Sequence, residues 1–215
     1  MARGCEWHNH SVESTIAIPA QVTLRHIQRI QTVTVAWMSV EAGLSLWAAW
    51  TSRSPALAAF GGDSAVELLS AAVVLRMFRG QWSEGGERRA ARIASGLLFA
   101  LAAYVILASA LSLLGYSDPR PSYLGMVVLA GAALIMPVLA REKRRLSAVT
   151  QSAALRADAA ESAVCAYLSI VALCGLAIRA IWHIAWADPA AALAITPLIL
   201  FEAREALRGR ACGCC

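Results

Sequence analysis

The chain has 215 residues, of which 59% are hydrophobic and 15% charged, with a formal net charge of +5. That balance excludes an ordinary soluble globular domain and points to an integral membrane protein. The surplus positive charge is no nucleic-acid footprint, because its placement follows the rule for membrane topology.

In chain order, residues 1–30 read as a cytosolic N-terminal segment. Up to Gln31 the sequence carries His8, His10, Arg25 and Arg29 and lacks the apolar core of a cleavable signal, so the first apolar helix itself directs insertion. Six spans follow, each about as long as a bilayer core of about 30 Å requires. They run over Val33–Trp50, Ala56–Leu75, Ile93–Leu114, Tyr123–Ala140, Ala154–Ile178 and Pro189–Phe201. Pro197 interrupts the last, whose helix is expected to extend to Leu207. Ser54-Pro55 opens the second span as N-cap and first-turn proline, and Asp188-Pro189 is expected to open the sixth in the same way. Connections are short apart from Gly80–Arg92, which is glycine-rich and charged and reads as a cytosolic loop. Residues 31–207 form one transmembrane domain, and 208–215 form a cysteine-rich cytosolic tail.

Orientation follows from Lys and Arg. Sixteen of the 19 fall on one side: near the N-terminus, after span two, between spans four and five, and at the C-terminus. Arg53, Arg120 and Arg179 fall on the other. Both termini are therefore expected in the cytosol, with Trp47, Trp50, Tyr116, Tyr123, Trp182 and Trp186 forming an aromatic belt at the outer face. The fold class is an all-α six-helix membrane bundle. The cysteines do not read as a disulfide framework: Cys165 and Cys174 lie in apolar runs, and the others at cytosolic ends where thiols stay reduced.

Two stripes carry chemistry. On span two, Asp63 and Glu67 lie four residues apart and share a helix face with Ser70. On span five, Asp158, Glu161 and Cys165 follow i, i+3, i+7, with Ser162 and Ser169 on the same side. An unpaired charge near the bilayer centre costs at least about 2.5–3.5 kcal/mol. A salt bridge to a neighbouring helix would answer that cost. No Lys or Arg falls deep inside any span, however, since Arg53, Arg76, Arg156 and Arg179 all lie at ends. An external cation is then the better account. Asp63, Glu67, Glu161 and Cys165 would supply four ligands from two helices, and a thiolate suits zinc better than magnesium or calcium.

Alternatives stay open at several positions. Cys165 on its own is ordinary packing for a small buried thiol. Asp158 either ligates or caps the inner end of helix five. Glu161 sits nearly two turns to the cytosolic side of its own span's midpoint near Tyr167 and Leu168, an offset that tilt would have to absorb. Glu41, one turn from Ser45, is either a hydrogen-bonded acid or part of a proton relay. His183 reads as structural. Cys5, His8 and His10, with Cys212, Cys214 and Cys215, are metal-ligand types without fixed spacing.

These residues resemble the transmembrane domain of the cation diffusion facilitators over about residues 30–207. The resemblance rests on Asp63-Ser-Ala-Val-Glu67, on Asp158, Glu161 and Cys165, and on Trp186-Ala-Asp188-Pro189 opening the last span. It is closest to short members without a cytosolic domain. In that family the fifth span usually carries His then Asp at i, i+4. Glu161 and Cys165 stand there instead, and a register shifted by one would put Ser162 at the first position. The resemblance implies a metal/proton antiporter, often homodimeric. The resulting expectation is an inner-membrane exporter of a divalent transition metal, zinc first, with cobalt or cadmium as alternatives. Its partners are lipid, metal and protons, it needs no prosthetic group, and no nucleophile–base–oxyanion set suggests an enzyme. A non-transporting membrane metal-binding or regulatory protein is the rival reading.

The charge asymmetry yields a first prediction. A membrane-impermeant thiol reagent applied to intact cells should leave Cys5, Cys212, Cys214 and Cys215 unlabelled. Ready labelling of the tail from outside would reverse the orientation.

Overall fold

The structure, a computed structural model, describes residues 21–79 and 84–207. Cys5, His8, His10, Cys212, Cys214 and Cys215 lie outside the described residues, as does part of the expected 80–92 loop. Lipid offers backbone groups no partners, so helices that satisfy their own hydrogen bonds are the natural result of such a sequence. Six are present among the described residues: α1 (Gln21–Ser52), α2 (Pro55–Phe78), α3 (Glu84–Leu113), α4 (Tyr123–Thr150), α5 (Ala153–Trp182) and α6 (Ala187–Leu207). Among the described residues, four contain segments long and apolar enough to cross a membrane: Pro55–Arg76, Arg92–Leu113, Tyr123–Thr150 and Leu155–Trp182. The chain is a multi-pass helical membrane protein. α1 and α6 are the two helices outside that set, and both carry buried polar positions, among them Gln31, Glu41 and Ser45 in α1 and Asp188 and Thr196 in α6.

Helix ends depart from the apolar spans in one direction. α1 begins twelve residues before its span, α3 begins at Glu84 inside the expected loop, and α4 runs ten residues past Ala140. A helix need not stop where lipid stops, because water tolerates its polar continuation. α6 passes through Pro197 without a break and reaches Leu207.

At the opposite end the connections are tight. Ser54 caps α2, its Oγ accepting from the Leu57 N–H at 3.1 Å, with Pro55 in the first turn. Asp188 does not cap its own helix. It lies in the first turn of α6 and accepts from Ser54 Oγ at 2.6 Å, so it ties α6 to the start of α2. The Arg120 N–H donates to Ser52 O at 2.8 Å, and Arg179 pairs with Asp118. His183 closes α5 in a left-handed conformation (φ 57°), its backbone N–H on Arg179 O at 3.0 Å. All six aromatic residues of the expected belt are exposed at this end.

α2 is central, packing against α1, α3, α5 and α6, while α4 packs on α5 and α1. The main apolar core includes Met38, Leu57, Phe60, Leu129, Met136, Leu168, Ile195 and Ile199. A smaller cluster of Ile27, Val74, Leu146 and Leu155 closes the other end, where α1, α2, α4 and α5 meet. Ile93, Leu97, Tyr104 and Leu107 of α3 stay exposed, as expected of a lipid-facing stripe.

Small residues set the closest helix contacts. A Cβ on Gly175 would lie 2.5 Å from the Ala191 Cβ and 3.2 Å from Ala187 O, whereas one on Gly96 would meet nothing within 4 Å. Gly175→Val should therefore force α5 from α6 and cost about 1–3 kcal/mol, while Gly96→Ala should be neutral or slightly stabilising. Thermal unfolding of the two variants in the same detergent checks this. Equal melting temperatures would rule out close α5–α6 packing.

Candidate metal site

The acidic stripe of α2 faces helices on every side, and each of its carboxylates is answered from a different one. Near its outer half, Ser64 Oγ donates to Glu41 Oε1 at 2.9 Å. Cys165 Sγ lies 3.5 Å from the same oxygen and 3.9 Å from Ser64 Oγ. The Trp37 indole N–H donates to Glu41 Oε2. The expected relay residue is thus drawn into the polar layer, and the expected ligand Cys165 sits against it.

One residue earlier on the same helix, Asp63 is buried beside the carboxyl of Glu202 on α6. Glu67, also buried, accepts from Ser162 Oγ at 2.9 Å through Oε1, while its Oε2 is buried without a hydrogen-bond partner. Glu161 lies near Ser70, and its Oε2 is likewise buried and unpartnered.

The edge of the layer nearer the α4–α5 connection corrects the expectation that no cation is built into the bundle. Lys143 on α4 is fully buried, its Nζ 2.9 Å from Asp158 Oδ2 and 2.8 Å from Ser162 Oγ. Gln31 Nε2 donates to the same Asp158 oxygen at 2.6 Å. Asp158 therefore neither caps α5, which Ser152 does through the Leu155 N–H at 3.3 Å, nor stands free as a ligand. Ser162 is a bridge between Lys143 and Glu67.

The structure thus brings Asp63, Glu67, Glu161, Ser162 and Cys165 into one polar layer. It does not clamp them: among the described residues, no three His, Cys, Asp or Glu side chains are arranged to hold a metal ion. Two residues of the layer escaped sequence reasoning. Lys143 lies three residues past the apolar span of α4, and Glu202 one residue past that of α6. The signal available was helical continuation, since α6 was expected to reach Leu207. Glu161 and Glu202 are partly exposed, whereas Asp63, Glu67 and Asp158 are not. The layer accordingly approaches the surface along α5 and α6.

The chain is 26% identical over 177 residues to the manganese efflux system protein MneS of Bacillus subtilis (strain 168), an alignment covering 78% of this chain and 61% of that protein. It thus spans about three fifths of that relative's length. The pattern described as the cation efflux transmembrane domain matches residues 31–210, which takes in both acidic stripes and all but the first turns of α1. By that match the chain belongs to the cation efflux family.

Proposed function

We propose that this protein exports a divalent transition metal from the cytosol across the inner (plasma) membrane, in exchange for protons. In this reading all six helices span the bilayer and both termini are cytosolic. Asp63, Glu67 and Glu161 bind the ion, Cys165 or Glu202 completes the set, and Glu41 relays protons. The observation that carries the reading is the pair of buried, unpartnered carboxylate oxygens, Glu67 Oε2 and Glu161 Oε2, on helices that pack together. Buried acceptors without donors are costly, and a cation satisfies both. The partial exposure of Glu161 and Glu202 supports access from the end predicted to be cytosolic. A homodimer is part of the proposal, as implied by the family resemblance.

Zinc is the first candidate ion, with cobalt and cadmium as alternatives. A second reading, manganese, is favoured by one observation: the Cys165 thiol is engaged with Glu41 and Ser64, while Glu202 adds a carboxyl beside Asp63. Oxygen-only ligation suits manganese, and sulfur suits zinc and cadmium. A non-transporting metal-binding protein could use the same side chains, and a flux measurement separates it from a carrier.

Two outcomes are expected. In purified protein, Asp63→Ala should abolish metal binding, and Glu67→Ala and Glu161→Ala should each weaken it strongly. Cys165→Ser should lower the preference for zinc over manganese if sulfur ligates, and should be silent if the set is oxygen-only. Zinc and manganese binding by Asp63→Ala equal to that of the parent would defeat the site.

Coupling follows from ligand chemistry. Binding a dication requires deprotonated carboxylates, so metal entry expels whatever protons the empty site holds. Apparent affinity should therefore fall as pH falls, by about tenfold per pH unit for each proton released. In proteoliposomes an imposed proton gradient should drive metal accumulation, and collapsing it should stop accumulation. Metal flux indifferent to the gradient would leave the ligands standing and remove antiport.

A further inference from the structure

We propose that Lys143 is a positioning residue that sets the affinity of the metal site, a tethered cation that keeps Asp158 out of the ligand set and balances the charge beside Glu67. The inference rests on the assignment of Asp63, Glu67 and Glu161 as metal ligands and goes a step beyond it.

The geometry is specific. The Lys143 ammonium reaches Asp158 Oδ2 at 2.9 Å and Ser162 Oγ at 2.8 Å, and Ser162 passes its own hydrogen to Glu67 Oε1 at 2.9 Å. One hydroxyl therefore separates the lysine from a proposed ligand. The contact is shared among four helices: α4 supplies Lys143, α5 supplies Asp158 and Ser162, α1 supplies Gln31, and α2 supplies Glu67. A fully buried ion pair is poor as a stabilising device, because desolvation offsets most of its attraction and an apolar pair of equal volume would pack as well. Its position next to the acidic layer gives it a different use.

Charge explains that use. With Lys143 in place, Asp158 and Lys143 together add nothing net to the field at Glu67. Asp158 Oδ1 is buried without a partner, so it could accept a further cation if the ammonium were absent. A site able to recruit Asp158 as an additional carboxylate would hold a dication more tightly and release it more slowly. Lys143 prevents that. A flexible four-carbon stem also lets an ammonium shift by small amounts while remaining paired, which a planar guanidinium would not allow.

The pair's two single substitutions should thus act in opposite directions. Lys143→Gln removes a positive charge and frees Asp158, so affinity for manganese or zinc should rise about tenfold or more. In transport, KM and maximal rate should both fall, because release becomes slower. Asp158→Asn leaves an unbalanced ammonium beside Glu67, so affinity should fall about tenfold or more. The double variant restores neutrality and should lie within about threefold of the parent. The experiment is calorimetric titration of the purified full chain with each metal alone.

If both single variants shift affinity in the same direction, or neither shifts it, Lys143 is a packing strut and the inference is wrong. Should Lys143→Gln fail to fold, the comparison of Asp158→Asn with the double variant decides: a double variant about tenfold tighter supports the proposal, and equal affinities overturn it. A parent that binds neither metal defeats the proposed function and this inference with it. A parent that binds, loses binding with Asp63→Ala, and is indifferent to the charge at 143 and 158 defeats this inference alone.

Discussion

A polar side chain in a lipid-facing bundle has no water to fall back on, so each must find its partner among the other helices. The acidic stripe of α2 places that demand at the centre of this protein, and the surrounding helices are arranged to meet it. α1 presents Ser64 with Glu41, α5 presents Glu67 with Ser162, and α6 presents Asp63 with Glu202. α4 enters the layer through Lys143, which reaches Asp158 on α5. Sliding α1, α2 or α5 by a residue would unpair several of these groups together, which fixes their register more strictly than apolar packing alone. Apolar clusters close the layer on both sides, one around Phe60 and Leu168 and a smaller one around Val74 and Leu155.

The same constraint explains what was legible in the sequence. Hydropathy located six helices, because lipid exposure writes long apolar runs. Local chemistry located the Ser54-Pro55 start of α2, because capping needs a hydroxyl at one position. The i, i+4 spacing of Asp63 and Glu67 placed them on one face, and that spacing survives any tertiary arrangement. Asp188 was read as a cap because Asp before Pro usually is one, yet its carboxylate serves the neighbouring helix. That choice depends on how α6 packs beside α2, which no local pattern encodes.

Lys143 and Glu202 were hidden for a related reason. A hydropathy window ends a span at the first charged residue, but the helix and the bundle continue beyond it. Both residues lie on such continuations, and both turn inward. Charge near a span boundary is therefore ambiguous in sequence, since a snorkelling residue and a buried one look alike. The absence of a cation within the apolar spans was correct as a statement about spans and misleading about the bundle.

The layer also has an internal logic of charge. Its donors are few: one ammonium, one indole, one amide, hydroxyls and a thiol. Its acceptors are more numerous: three carboxylate oxygens, Glu67 Oε2, Glu161 Oε2 and Asp158 Oδ1, are buried without partners, as is the amide oxygen of Gln31. Such an excess of acceptors over donors is unfavourable in a stable core and useful in a cation carrier, which must leave lone pairs to offer. The first two oxygens lie on facing helices without a competing cation of their own. The third belongs to a carboxylate already held by Lys143. Under the proposed function, the division separates a part of the layer that would exchange its cation from a part whose cation is covalently tethered. A carrier needs both, because ligands that never let go would trap the ion they bind.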